Sequence, residues 1–413
     1  MKMNYFFFIL FFLISCSFVS SISQNVSSVG ERWRILSGQN NWEGLLDPLD
    51  KDLRTYILHY EDLAQVARDA FNSEKASKYA GTSRYAKRNL FARVGFDKVN
   101  PFRYQVTRYF YATSSFPVPE AFFTRSMSRE AWSKESNWMG FVAVATDEGK
   151  VQLGRRDIVI SWRGAVQDFE KIDFFDFVLV PATQIFGDNA PMVGRGWYSI
   201  YTSDDPLSPF DKASARDQIL AEVQRLVEQY KGEEISITVT SHSLGAPLAA
   251  LTAVDIVYNV MNKGNLVTAF LSGSPKVGDQ NFKSIFSNLM NLRALHVRNA
   301  PDLIPNYPAP LIYADIGVPF DIDTRKSSYL KNGDQAKWHH PEVYMHGVAG
   351  TQGTKLEGFE LEVKRDISLV NKYIDGLKDE YRVPISWWIE KNKGMVQQED
   401  GSWILMDHEE DDD

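Results

Sequence analysis

The amino-acid sequence predicts an α/β fold, with a mainly parallel central sheet covered by helices on both faces. Short β-branched runs alternate with segments of helical period, and the connections between them are long crossovers. No internal repeat or break in composition divides the 413 residues.

The elements follow in order. From Asp52, the residues Leu53, Tyr56, Ile57, Tyr60, Leu63, Val66, Ala67, Ala70 and Phe71 recur with the spacing of an amphipathic helix. Residues 138–146 and 157–162 read as strands, with the string DEGK at 147–150 as a turn between them. Ile219, Val223, Leu226, Val227 and Tyr230 form a second helical stripe within 211–230, stopped by Gly232. A strand at 235–240 leads through a tight turn at 241–245 into an apolar helix at 248–261, closed by Gly264. Two more strands lie at 266–271 and 294–297.

The ends of the chain read differently. Lys2 precedes an apolar run over 5–14, and the small residues Ser21 and Ser23 follow, the pattern of a secretory signal cleaved near Ser23. An uncleaved anchor and an apolar tail on a cytoplasmic protein are the alternatives. The expected layout is a signal or anchor over 1–23, a polar flexible linker over 24–32, one α/β domain over 33–405 and an acidic tail over 406–413.

Composition excludes several classes of function. A net charge of −8 argues against sequence-independent binding of nucleic acid, which needs a basic surface. Cys16 is the one cysteine, so neither a disulfide framework nor a thiolate metal site is available. No metal or organic cofactor and no obligate protein partner is implied.

The chemistry concentrates at the string SHSLG over 241–245. A nucleophile elbow is written G-x-S-x-G, with a serine on a sharp strand-to-helix turn of an α/β-hydrolase sheet. Here Ser243 takes the nucleophile position, and Ser241 replaces the first glycine at an expected modest strain. The strand before and the apolar helix after are the context the motif requires.

The longer string SHSLGAPLAAL over 241–251 resembles the serine motif of class 3 lipases. The strings WRILSG (33–38), WEGLLDPLDKDLR (42–54), RRDIVISWRG (155–164), GWYSIYTS (196–203), SGSPKVGD (272–279) and SWWIEKNKGMV (386–396) resemble the plant class II phospholipase A1 group. The resemblance runs from about residue 31 to the C-terminus, and the apolar N-terminal extension departs from that group, which is usually cytoplasmic.

A serine hydroxyl needs a base, and the base needs an orienting acid. In this fold the chain order is Ser, Asp, His. Of the seven histidines, His339, His340 and His346 follow at a suitable place. The family's base opens a segment resembling H-x-L-E-x-Y-L-H; the string HHPEVYMH over 339–346 puts His339 in that place, with Pro341 in place of leucine. Asp302, in NAPDLIP over 299–305, follows a strand end, where active sites of such sheets form, and the family's aspartate has a similar setting.

The oxyanion needs two backbone donors. Leu244, after the nucleophile, is one, and Ala165, in the strand-end turn, is the other. Relatives in the family usually carry Ser or Thr at the Ala165 place, so a hydroxyl is lost. Phe169, Ile172, Phe174, Phe175, Phe177 and Val178, in the run 166–179, read equally as an acyl groove or lipid contact and as buried core. The resemblance implies cleavage of the sn-1 ester of a phosphatidylcholine-like membrane lipid at the lipid–water interface. A galactolipid or triacylglycerol lipase and a non-catalytic lipase-like scaffold are the alternatives.

Overall fold

A computed structural model describes residues 28–98, 100–117, 123–128, 136–165, 177–309, 311–388 and 394–406. Its centre is a seven-stranded sheet whose order follows the chain: β1 (Tyr104–Ala112), β2 (Asn137–Ala145), β3 (Arg156–Trp162), β4 (Ile235–His242), β5 (Leu266–Ser272), β6 (Leu292–Asn299) and β7 (Val318–Ile322). The pairs β1–β2 and β2–β3 are antiparallel. The four pairs from β3 to β7 are parallel.

Every residue of β2, β3 and β4 is buried, as expected of strands covered on both faces. Successive side chains on β3 go to opposite cores. Ile158, Ile160 and Trp162 join one cluster, and Val159 joins the other. The edge strand β1 alternates between buried and more exposed positions, and β7 carries Pro319, tolerated at an edge.

Among the described residues, two of the longer helices cover one face. They are α1 (Lys51–Asp69), capped by the Asp50 side chain at the Leu53 N–H, and α7 (Pro341–Gly350). The other face is covered by α3 (Arg195–Thr202), α4 (Ala215–Gln229), α5 (Ala246–Tyr258) and α6 (Gln280–Asn288).

Two expectations are corrected. Residues 147–150 are not a turn but the first half of α2 (Asp147–Leu153). The Thr146 side chain caps it at the Gly149 N–H, and the left-handed Gly154, at φ 72°, ends it. The polar stretch expected as a flexible linker is, from Ser28, a helical turn with Val29 and Gly30 buried. Arg32 binds Asp50 at 2.9 Å and Asp52 at 2.6 Å, which fixes this turn to the start of α1. The signal or anchor over 1–23 and residues 407–413 of the acidic tail lie outside the described residues. Among the described residues no helix is long and apolar enough to cross a membrane.

Candidate active site

β4 delivers Ser243 to a turn between strand and helix. His242 is still extended, at φ −117° and ψ 149°, whereas Ser243 has φ 61°. A serine in that left-handed region is held there by its surroundings and projects its hydroxyl from the turn. Two glycines make the turn possible. A Cβ on Gly245 would lie 2.7 Å from the Arg163 carbonyl oxygen, and one on Gly164 would lie 2.6 Å from that of His242. The β3 end and the elbow therefore pack backbone to backbone.

Ser241, the unusual residue of the motif, is not the strained one. Its Oγ donates to the Trp162 carbonyl at 2.8 Å, so the buried hydroxyl is satisfied and ties β4 to β3.

Asp302 stands on the turn after β6, where its N–H donates to the Asn299 carbonyl at 2.8 Å. His339 precedes α7, and its Nδ1 lies 2.6 Å from Asp302 Oδ2. A carboxylate only accepts, so Nδ1 carries a proton, and in the neutral ring the lone pair is then on Nε2. Three further donors converge on the carboxylate. The Tyr344 hydroxyl reaches Oδ2 at 2.5 Å, and the Gln335 amide and Ile304 N–H reach Oδ1 at 2.6 and 2.9 Å. Burial alone would raise the Asp302 pKa, but the His339 charge and these donors outweigh it and hold the carboxyl below its usual range.

The histidines sort themselves by environment. The His242 and His339 rings lie 4.8 Å apart. Burial first, then neighbouring positive charge, pushes His242 and His340 well below the ordinary imidazole value, so both are neutral. His339 is hydrogen-bonded to a carboxylate. His346 is remote in role; its Nε2 pairs with Ser327 Oγ at 2.8 Å.

Leu244 lies in the single 3₁₀ turn that follows the strand, and Ala165 is buried at the end of β3. The peptide joining Gly164 to Ala165 is gripped from behind, because Arg163 Nη1 donates to the Gly164 carbonyl at 2.9 Å. In a trans peptide the N–H points opposite to the C=O, so this bond also sets the direction of the Ala165 N–H. Arg68 of α1 donates to the next carbonyl, that of Ala165, at 3.3 Å. Asp302 and His339 thus pair, and Ser243 directly follows His242, whose ring lies against that of His339, at the carboxyl end of the parallel strands, beside the turn that carries Ala165. Tyr344, Gln335, Arg163 and Arg68 were not singled out in the sequence. The tyrosine had a signal there, as the aromatic of the HHPEVYMH string, and Arg163 lay within RRDIVISWRG. Of the aromatic run after Ala165, Phe177 and Val178 are described, while Phe169, Ile172, Phe174 and Phe175 lie outside the described residues.

Comparisons with known proteins place the chain in a family. The class 3 lipase profile matches residues 159–311. Phospholipase A1-IIgamma of Arabidopsis thaliana is 55% identical over 394 residues, covering 92% of this chain and 94% of that protein. Phospholipase A1-II 1 of Oryza sativa subsp. indica is 50% identical over 393 residues, covering 94% and 99%. Among solved structures, a nonglycosylated Yarrowia lipolytica lipase overlaps 67% of this chain and 82% of its own, at 16% identity and a TM-score of 0.43. An α/β-hydrolase sheet with a serine elbow, and relatives at this identity over nearly the whole length, make the chain a member of the plant phospholipase A1-II group of class 3 lipases.

Proposed function

We propose that this acyl hydrolase cleaves the sn-1 ester of phosphatidylcholine-like glycerophospholipids through Ser243, His339 and Asp302. The observation that carries the reading is the buried His339–Asp302 pair at the same carboxyl end of the sheet as a serine held at φ 61°. His339 Nε2 takes the Ser243 hydroxyl proton as Oγ bonds to the acyl carbon, and the positive imidazolium is stabilised by Asp302. The N–H groups of Leu244 and Ala165 receive the carbonyl oxygen as it becomes an oxyanion. The ester C–O bond then breaks, and His339 returns the proton to the departing lysophospholipid oxygen. Water, deprotonated by the same histidine, attacks the acyl-enzyme and releases the fatty acid. The sn-1 preference is supported by the names of the relatives. The apolar N-terminal run supports delivery to the secretory pathway, which sequencing the mature N-terminus would read.

The test is fatty-acid release from phosphatidylcholine labelled separately at sn-1 and sn-2. Release from sn-1 that falls by about 10⁶ in Ser243→Ala, as in other serine hydrolases stripped of the nucleophile, supports the reading. A folded wild-type protein that releases nothing from either position, nor from galactolipid, triacylglycerol or a short-chain ester, moves the assignment to a scaffold.

A further inference from the structure

Apart from the Ile304 N–H that holds Asp302, the segment directly after Asp302 takes no part in the chemistry above, and its composition is unusual for a surface. From Leu303 to Ala314 the sequence contains no charged residue and three prolines. Leu303, Tyr307, Leu311 and Ile312 are 54, 39, 92 and 62% exposed. Single exposed apolar residues need no explanation, but four from one loop, beginning at the neighbour of the triad acid, do.

The loop is exposed without being loose. Ile304 and Tyr313 are buried and anchor it at both ends. The Tyr313 hydroxyl donates to the Phe177 carbonyl at 2.6 Å, which ties the loop to a second segment carrying Val178, itself 55% exposed. The Lys276 ammonium, nearly buried, reaches the carbonyls of Asn306 at 2.7 Å, Pro308 at 3.3 Å and Pro305 at 3.4 Å. Its N–H donates to the Tyr307 carbonyl at 2.8 Å.

The backbone donors of the first half of the loop, residues 303–307, are also consumed within the protein. The Leu303 N–H donates to the Gln335 side chain, the Ile304 N–H to Asp302, the Asn306 N–H to the Leu303 carbonyl and the Tyr307 N–H to the Ile304 carbonyl. The prolines have no N–H to satisfy. Leaving water is costly for a loop chiefly because of its open backbone groups. Here four consecutive carbonyls and four N–H groups keep their partners when water is removed.

We propose that this loop is a docking surface for an uncharged or zwitterionic lipid surface, with Leu311 and Ile312 as its inserting side chains. This rests on the lipid-hydrolase reading and adds how the substrate surface is met. Hydrophobic contact carries the docking, since the loop offers no cation and the chain's net charge of −8 repels anionic headgroups. Lys276, in the SGSPKVGD string, is a positioning residue that keeps the loop's carbonyls paired.

The experiment measures partition of the full-length Ser243→Ala protein onto dioleoylphosphatidylcholine vesicles by cosedimentation, with and without Leu311→Ser/Ile312→Ser. The double variant is expected to bind about tenfold or more weakly, given what burying two such side chains contributes. In the Ser243 background its ratio of vesicle to monomeric short-chain ester turnover falls by the same factor. Leu207→Ser, 91% exposed on the segment between α3 and α4, leaves both quantities unchanged. Equal partition of parent and double variant, or an equal loss in Leu207→Ser, overturns the proposal. If the double variant misfolds, Leu311→Ser alone decides on the same readout. Vesicle binding without any hydrolysis by wild type would sink the enzymatic reading while leaving the docking surface standing; hydrolysis with an unchanged ratio does the reverse.

Discussion

Tyr344→Phe removes one oxygen from the centre of the site and leaves the ring in place. That hydroxyl donates to Asp302 Oδ2 at 2.5 Å and accepts from the buried Asn299 N–H at 3.2 Å. A hydrogen bond to a charged group contributes about 1.5–3 kcal/mol, and an orphaned buried donor costs about 1–3 kcal/mol. The two losses share one atom and do not add in full, so destabilisation of roughly 2–4 kcal/mol is expected. Catalysis should suffer less. His339 keeps Oδ2, and Oδ1 keeps Gln335 and the Ile304 N–H. We expect kcat to fall by less than about tenfold, against about 10⁴ for Asp302→Asn, which would present the wrong imidazole tautomer.

The stability difference has a pH signature. Asp302 is depressed in the folded protein, so its contribution is complete above its unfolded pKa and is lost as pH falls through the folded one. Removing the Tyr344 donor shrinks that depression. The gap between wild type and variant is therefore widest near neutral pH and narrows on acidification. Urea midpoints at a series of pH values, with ester turnover on the same samples, make the check. An unchanged midpoint, or a kcat as low as that of Asp302→Asn, would refute the division of labour described for the carboxylate.

Two further substitutions test the neighbouring supports. Arg163→Met frees the carbonyl of the peptide that carries the Ala165 N–H; kcat should drop about tenfold or more with KM held, and adding a hydroxyl by Ala165→Ser should recover part of it, read by steady-state kinetics on protein checked for fold by circular dichroism. Ser241→Gly restores the motif's glycine yet deletes the bond to the Trp162 carbonyl; a loss of about 1–2 kcal/mol in urea unfolding is expected, with kcat nearly unchanged, whereas a gain in stability would mean the serine is strained after all.

Much of the sheet was legible because its inner strands are covered on both faces. β2, β3 and β5 carry near-continuous apolar runs, β4 and β6 interleave apolar with polar residues, and the strand bounds read from them differ from the folded ones by a few residues. The edges were missed. β1 mixes buried and half-exposed positions around Arg108, and β7 is five residues long with Pro319 inside it. The turn at 147–150 was misread because DEGK carries turn residues, while the helix depends on a cap at Thr146 and a stop at Gly154.

By itself the sequence determined the α/β alternation, the elbow at Ser243, and, through chain order and resemblance, Asp302 and His339 as candidate partners. All of these are local: a period, a five-residue turn, a string of eight. The tertiary structure decided which carboxylate oxygen faces which donor, that Ser241 is satisfied while Ser243 bears the left-handed backbone, and that His242 and His340 stay neutral. It also decided that the carbonyls of the apolar loop after Asp302 are paired by Lys276. The reason is distance along the chain. Tyr344 meets Asp302 across 42 residues, Arg68 meets Ala165 across 97 and Ser241 meets Trp162 across 79. Hydrogen bonds and burial between such positions exist only once the sheet has brought its strand ends together, and no local pattern records them.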